Sequence, residues 1–195
     1  MHQIVAAAAL LTCCALGAAP AAAADPGAPE ALLVSVEDVR AIAGINDLTP
    51  GPLLNAPGGQ HQFDAKYPDT CHPVFNQDDA FGPGFRDFRS VTYSGPADRA
   101  VTQAVAVYPD PDAARSALIS LGSALKACSE LGLPDMQFTT QALDMDSFAL
   151  CTTQCATLYR AAGPVLIGVN AARFGDSDRI ATAVLQRVSG KAGGA

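Results

Sequence analysis

A strand that leads directly into a long helix, over residues 101–131, is the feature that most constrains how this chain can fold. Val101, Val105 and Val107 fall on one alternating row, which predicts a strand with one buried face. Asp110 stands where it can cap the following helix, and Pro111 suits the first turn. Apolar residues then recur every three or four positions, at Ala114, Leu118, Leu121, Leu125 and Cys128. This stripe predicts an amphipathic helix of about four turns.

Shorter elements are predicted on both sides of this unit. Ser35 can cap a helix that Gly44 ends, and a strand over 85–93 can pair with the strand over 101–108 as a hairpin. Four short strands follow the long helix, over 136–143, 146–151, 155–161 and 164–171, and Asp176 caps a last helix. Strands joined by such short turns must be antiparallel, because parallel crossovers need about a dozen residues or more. The sequence therefore predicts an α+β domain, with a twisted antiparallel sheet of about six strands and helices packed on one face.

Residues 1–24 have the pattern of a secretory signal peptide. An apolar, uncharged run over 4–16 is too short to span a bilayer, and Ala22-Ala23-Ala24 fits the small-residue rule for cleavage before Asp25. A lipoprotein signal is the alternative, with a lipid anchor at Cys13. Because no other apolar run is long enough, we expect no membrane span after cleavage and a secreted protein of the extracytoplasmic cell envelope.

The rest of the chain is predicted to be one domain with loose ends. Residues 25–30 are rich in Pro, Gly and Ala and indicate a flexible linker, 31–190 form the domain, and 191–195 form a disordered tail. The net charge of −7 and the absence of a Lys/Arg cluster in the sequence argue against a nucleic-acid partner.

Four cysteines remain after signal cleavage, at Cys71, Cys128, Cys151 and Cys155. An even number in an exported chain predicts two disulfides, with three possible connectivities. Of these we predict Cys71–Cys128 and Cys151–Cys155. A zinc site is not expected, because the closely spaced cysteines have no histidine nearby and His61 and His72 are isolated in the sequence.

Catalytic motifs are absent from the sequence. There is no nucleophile elbow, no phosphate-binding loop and no dinucleotide-binding glycine pattern. We therefore expect no catalytic residues, no cofactor and no metal. The alternative is a small envelope hydrolase that uses a carboxylate of Asp64, Asp78 or Asp79 near His61 or His72.

Three polar residues on strand rows are candidates for a ligand cleft. Gln103 interrupts the inward row of its strand, where its amide must either find partners or face a cavity. Arg89 and Arg160 lie on alternating rows of other strands and could meet a polar or anionic ligand. Each has a structural alternative, since Gln103 can bond to nearby backbone and an arginine on a strand is more often solvated or ion-paired.

Several segments, in order and spacing, resemble one known family. They are Leu32 to Val39 with Ile42 and Gly44; Thr70-Cys71; Ala100 to Val105 with Tyr108-Pro109; Ala113-Ala114 through Ala127-Cys128; and Cys155 followed by Arg160 and 165–169. On these residues the chain resembles the PknH-like extracellular sensor domain family of mycobacteria and their relatives, over most of 31–190.

The resemblance implies an α+β domain with a twisted antiparallel sheet, two disulfides and a polar cleft that binds an unidentified extracytoplasmic small ligand without catalysis. This chain departs from the family in having no Trp, with Leu125 at the expected position, and no kinase domain. Any sensing output would then need a partner protein of the envelope. A module that docks proteins through a sheet edge or an exposed loop is a further alternative.

Overall fold

The computed structural model describes residues 28–154 and 156–193. The predicted signal peptide over 1–24, the start of the predicted linker, Cys13, Cys155 and the last two residues of the predicted tail lie outside the described residues.

Seven strands and four α-helices alternate with short 3-10 turns along the described chain. The strands are β1 (Thr49–Pro50), β2 (Asp87–Ser94), β3 (Ala100–Val107), β4 (Thr139–Asp144), β5 (Ser147–Cys151), β6 (Thr157–Ala162) and β7 (Val165–Ala172). The α-helices are α1 (Val36–Ala43), α2 (Gln77–Phe81), α3 (Pro111–Glu130) and α4 (Ser177–Ala192). Single 3-10 helices span Pro29–Leu32, His61–Phe63 and Asp69–Val74.

The strands form one antiparallel sheet in the order β1-β2-β3-β7-β6-β5-β4. Strands β2 and β3 form a hairpin, and β4 to β7 form a meander in chain order. The two parts are joined where β3 pairs with β7, with Ala104 opposite Gly168. The predicted α+β class, the antiparallel pairing and six of the strands are confirmed. The two-residue strand β1 was not predicted, and it extends the sheet on the far side of β2.

Helices cover both faces of the sheet, so the prediction of helices on one face was wrong. Val101, Ile167 and Leu158 pack with α4 and α1, whereas Ala106 and Leu166 pack under α3. The reason lies in β7, whose residues 165–169 are all buried. A strand that is apolar at consecutive positions has two faces to bury, and this requires a layer of helix on each side.

The helix ends follow the local sequence at most of the predicted places. The Ser35 hydroxyl oxygen accepts from the Asp38 N–H at 3.2 Å, and the Asp110 carboxylate accepts from the Ala113 N–H at 2.8 Å. Gly132 has the left-handed backbone (φ 61°) that was expected after α3. Asp176 was expected to cap α4, but its side chain makes no capping hydrogen bond. None of the helices in the described residues is long and apolar enough to cross a bilayer.

Candidate functional site

An open cleft of about 630 Å³ lies between residues 58–82 and the ends of β5, β6 and β7. We call residues 58–82, which carry two of the 3-10 helices and α2, the cleft segment. This segment contributes Phe63, Tyr67, Val74 and Phe75 to the lining, whereas the strand ends and their turns contribute Thr152, Thr153, Gln154, Thr157 and Asn170. A volume of this size is typical of sites for small molecules.

The aromatic part of the lining is built by the cleft segment alone. Tyr67 and Phe75 stack with ring centroids 5.1 Å apart, and Phe63 lies 4.9 Å from Phe75. The Tyr67 N–H donates to the Phe63 carbonyl oxygen at 3.2 Å, so a helical turn brings these two side chains to the same side. The three rings therefore form a surface against which an apolar or flat ligand face can pack.

A disulfide fixes the cleft segment to the domain. It joins Cys71 in the segment to Cys128 in α3, with Cα atoms 5.0 Å apart, and both cysteines are fully buried. This pairing was predicted and is confirmed. The second predicted pairing, Cys151–Cys155, involves a residue outside the described ones and stays a prediction. Met136, Tyr67 and Phe75 pack around the Cys71–Cys128 disulfide. The cluster that surrounds this disulfide therefore also supports the aromatic rings that line the cleft.

The polar lining is held in place by hydrogen bonds among its own residues. The Gln154 side chain donates to the Gly175 carbonyl oxygen at 2.9 Å and accepts from the Ser177 N–H at 3.0 Å, which ties the β5–β6 turn to the start of α4. The Asn170 amide donates to the Thr157 hydroxyl at 2.7 Å across β7 and β6. Thr152 and Thr153, by contrast, are exposed at the cleft mouth.

An ion pair lies at the rim of the cleft. The Lys66 ammonium donates to the Asp135 carboxylate at 2.6 Å and lies 4.7 Å from the centre of the Tyr67 ring. The hydrogen bond from Lys66 lowers the pKa of Asp135 below its ordinary value, and the same bond raises the pKa of Lys66. The pair links the cleft segment to the loop between α3 and β4.

Outside the cleft lining, the same segment carries a cluster of one histidine and three carboxylates. His61 Nδ1 lies 2.9 Å from Asp64 Oδ2, and His61 Nε2 lies 2.9 Å from Asp78 Oδ2. The Asn76 amide donates to Asp64 at 2.9 Å and to Asp79 at 2.7 Å. The sequence-based alternative of a hydrolase named these residues, and the structure does bring a histidine within hydrogen-bond distance of carboxylates.

Hydrogen bonds and charges in this cluster shift the pKa values of its titratable groups and of the nearby His72. The hydrogen bond with Asp64 raises the pKa of His61, and the hydrogen bond from Asn76 lowers the pKa of Asp64. Burial lowers the pKa of His72, but bonds to the carbonyl oxygens of Tyr67 and Asp64 and the nearby carboxylates outweigh it and raise the pKa overall. His72 Nε2 is 3.0 Å from the Tyr67 oxygen, so this side chain serves to hold the turn.

The family model for the PknH-like extracellular domain matches residues 24–191. The chain belongs to the PknH-like extracellular domain family. The predicted resemblance is thereby confirmed, and the chain is an extracellular, sensor-type domain. Among solved structures, the extracellular domain of PknH from Mycobacterium tuberculosis has the same fold, with a TM-score of 0.59 and 18% sequence identity over 83% of this chain and 94% of that one. No curated protein matches this chain.

In this member of the family, none of the three predicted ligand residues lines the cleft. Gln103 is fully buried, and its amide accepts from the Val34 N–H at 2.8 Å and donates to the Val34 carbonyl oxygen at 2.6 Å. Arg89 donates to Asp87 and to the Phe88 carbonyl oxygen, and Arg160 donates to Asp144 at 2.9 Å. All three side chains therefore have partners within the protein.

Sequence reasoning missed the aromatic residues that do line the cleft. Phe63 and Tyr67 lie within 47–67, a stretch rich in Pro, Gly, Asn and Gln that the sequence predicts to be a long surface loop, and loops of that length are often functional. The usable signal was the spacing of four between two aromatic residues close to Cys71. Without the fold, that spacing could not indicate that the polar ends of β6 and β7 lie opposite.

Proposed function

We propose that this chain is a cell-envelope sensor domain that binds a small extracytoplasmic ligand in the cleft and does not catalyse a reaction. The observation that carries the proposal is the cleft itself, in which a preformed aromatic wall faces hydroxyl and amide side chains. Ligand sites commonly combine an apolar surface with a few fixed polar groups in this way. The ligand is then one with an apolar or flat face and several hydrogen-bonding groups.

Three features of the walls support binding rather than a purely structural role. The disulfide and the Lys66–Asp135 pair fix the cleft segment at two points, so little ordering is needed when a ligand enters. The polar wall keeps Thr152 and Thr153 accessible. We propose that any signal passes to an envelope protein partner.

The histidine–aspartate cluster does not favour catalysis as the alternative. Both ring nitrogens of His61 already face carboxylates at 2.9 Å, and among the described residues no Ser, Thr or Cys side chain is hydrogen-bonded to it. A general base needs a nucleophile or a water position within reach, inside a site that shields the reaction. The cluster lies on the surface, with the His61 side chain 54% exposed.

Native mass spectrometry of the protein purified from its own envelope tests the proposal. The wild-type protein should carry a co-purifying small molecule, and Ala156→Trp should lose it, because the indole would fill the cleft that Ala156 lines. Ala142→Trp is the matched control, since Ala142 lies on the exposed edge strand β4. Equal retention in both variants, or no adduct in the wild type even after incubation with envelope extract, would refute the cleft as a ligand site.

A further inference from the structure

The cluster of His61 with Asp78 and Asp79 has the composition and spacing of a cation site. One ligand atom from each of these residues lies within 4.8 Å of the others. The sequence argued against a zinc site because the closely spaced cysteines have no histidine nearby and His61 and His72 are isolated, but the fold brings Asp78 and Asp79 of α2 to His61. We propose that these three residues bind a divalent cation of the first transition series, with Zn²⁺ as the best match, independently of the ligand cleft.

The donor set decides the class of cation. An imidazole nitrogen with carboxylate oxygens favours Zn²⁺ and its neighbours, whereas Ca²⁺ and Mg²⁺ prefer sites made of oxygen alone. Two ligand atoms at about 2.1 Å from one tetrahedral zinc ion lie about 3.4 Å apart. His61 Nε2 and Asp78 Oδ2 are 2.9 Å apart, so a small outward movement of either exposed side chain would bring them to the spacing of two neighbouring ligands.

The imidazole is held in the orientation that a metal ligand needs. Histidines that bind metals usually donate the N–H of the other ring nitrogen to a carboxylate, which fixes the tautomer. Asp64 Oδ2 stands 2.9 Å from Nδ1 and can accept that N–H. The Nε2 lone pair would then face the Asp78 carboxylate, and two acceptors at this distance require a positive charge between them. A proton or a metal ion can supply it.

A buried amide supports the carboxylates from behind. Asn76 is only 1% exposed, and its two N–H groups go to two different acids, Asp64 and Asp79. Its oxygen accepts from the Gln60 N–H at 2.8 Å, so the amide cannot rotate without losing a bond. Asn76 thus fixes the acid that orients the histidine and one of the proposed ligands at the same time.

Gly59 lets the backbone pack closely against Asn76 and His61. A Cβ atom at this position would lie 2.8 Å from His61 Nε2 and 2.6 Å from Asn76 Oδ1. The backbone of Gly59 is not among the left-handed residues, so conformation does not require a glycine here. A side chain here would first displace the Asn76 amide, and with it the carboxylates that Asn76 holds.

The charges of the cluster also favour a bound cation. None of Asp64, Asp78 and Asp79 forms an ion pair with a Lys or Arg among the residues that the structure describes. Lys66, the basic side chain within the cleft segment nearest in sequence to Asp64, is bonded to Asp135 instead. Carboxylates held this close repel each other, and a dication offsets more of that repulsion than a proton on His61 does.

Isothermal titration of ZnCl₂ into the untagged protein, stripped of metal with EDTA and exchanged into chelator-free buffer at pH 7, tests this site. We expect one Zn²⁺ per chain at the cluster, much weaker binding of CaCl₂, and a loss of at least about tenfold in Zn²⁺ affinity for Asp78→Asn combined with Asp79→Asn. Asp69→Asn is the matched control, because it removes a charge from the same segment at a fully exposed side chain and should bind like the wild type.

The ring signals of His61 and His72 in NMR spectra of the wild-type protein give a readout that does not depend on how the variants fold. Zn²⁺ should shift the His61 signals, whereas the His72 ring, which holds the turn at the Tyr67 carbonyl, should stay in place. The proposal is overturned if Zn²⁺ leaves the His61 signals unchanged, or if the double variant and Asp69→Asn bind it equally. Ligand retention in the cleft is measured separately, so the two proposals can fail independently.

Discussion

The cleft segment and the α4 layer, two regions of the same domain, are held in different ways. The α4 layer consists of α4 and the sheet face beneath it, where Ile180, Val184 and Val188 are fully buried against strand residues such as Ile167. The cleft segment contains short 3-10 helices and one short α-helix, and it is fixed by a disulfide, an ion pair and polar contacts. Burial in the α4 layer is distributed over many contacts. In the cleft segment, Ala80 and Phe81 pack into the core, whereas residues 58–70 contain no buried side chain and depend on a few individual bonds.

Because of this difference, substitutions in the α4 layer should change the stability of the whole domain, whereas substitutions in the cleft segment should change the position of that segment. Loss of one contact in the α4 layer should lower the free energy of unfolding of the whole domain, because the sheet is shared by all elements. Loss of one bond in the cleft segment should first release residues 58–70, because no buried side chain of that part opposes local opening. The predictions below test this distinction, from the largest expected effect to the smallest.

Removal of the disulfide should have the largest effect. The double substitution Cys71→Ala with Cys128→Ala frees a loop of sequence separation 57 and should lower the free energy of unfolding by about 4 kcal/mol on the chain-entropy estimate. Chemical denaturation measures the total, and hydrogen exchange should show the greatest loss of protection within 58–82. A uniform loss across the domain would contradict the distinction between the two regions.

Truncation of a buried strand residue should destabilise the whole domain and leave the cleft segment in place. Ile167→Ala should cost about 3 kcal/mol, because it leaves a cavity beneath α4, and it should leave the chemical shifts of Phe63 and Phe75 unchanged. Ile119→Ala is the matched control, because Ile119 lies on α3 and is 60% exposed. It should change the free energy of unfolding by less than about 0.5 kcal/mol. Urea unfolding and NMR spectra of the two variants check both expectations.

Gln103→Met should cost about 2 kcal/mol, because the Val34 N–H loses its buried acceptor. The Val34 carbonyl oxygen keeps the Tyr93 hydroxyl at 2.7 Å, so the loss is partial. Tyr93→Phe removes only that second bond and is expected to cost less, about 1 kcal/mol. An unfolding midpoint for Gln103→Met equal to that of the wild type would contradict a structural role for the amide.

The smallest effect should come from pH at the cleft rim. The pKa of Asp135 is lowered from its ordinary value of 3.8 in the folded protein, so its contribution is present above that value and is lost as the pH falls through the folded pKa. Hydrogen exchange of the cleft segment should therefore increase selectively in acid after correction for the intrinsic exchange rate. Asp135→Asn should reduce the selective increase around Lys66 and Tyr67, and what remains should come from Asp64, whose pKa is also lowered in the folded protein. An unchanged increase around Lys66 would show that Asp135 is not the titrating group there.

Much of the fold could be predicted because local and long-range signals agree. The alternation around Val105, the cap at Asp110 and the stripe through Leu125 each specify an element that also packs where the pattern predicts. The placement of helices on both faces could also have been derived, because residues 165–169 form a continuous apolar run. The prediction of helices on one face was wrong because a strand with apolar residues on both faces must be covered on both.

The candidate sites could not be predicted in the same way. Phe63, Asn170 and Asp135 come from three distant segments, and only tertiary structure brings them to one cleft. His61 and Asp78 are likewise separated by a turn-rich stretch without a periodic pattern. Gln103 had the right pattern for a polar residue with a special role, but sequence alone cannot distinguish an amide that faces a cavity from one that bonds to backbone.

The pairing of β3 with β7 also has a consequence for the nascent chain. The β2–β3 hairpin is complete early in synthesis, yet the strand that must lie beside it is almost the last to be made. Until then β3 presents an unsatisfied, apolar edge, which is a template for association with other chains. The closing contact is a long-range one and should limit the folding rate. A polypeptide released before Ala172 should therefore aggregate instead of forming half a domain.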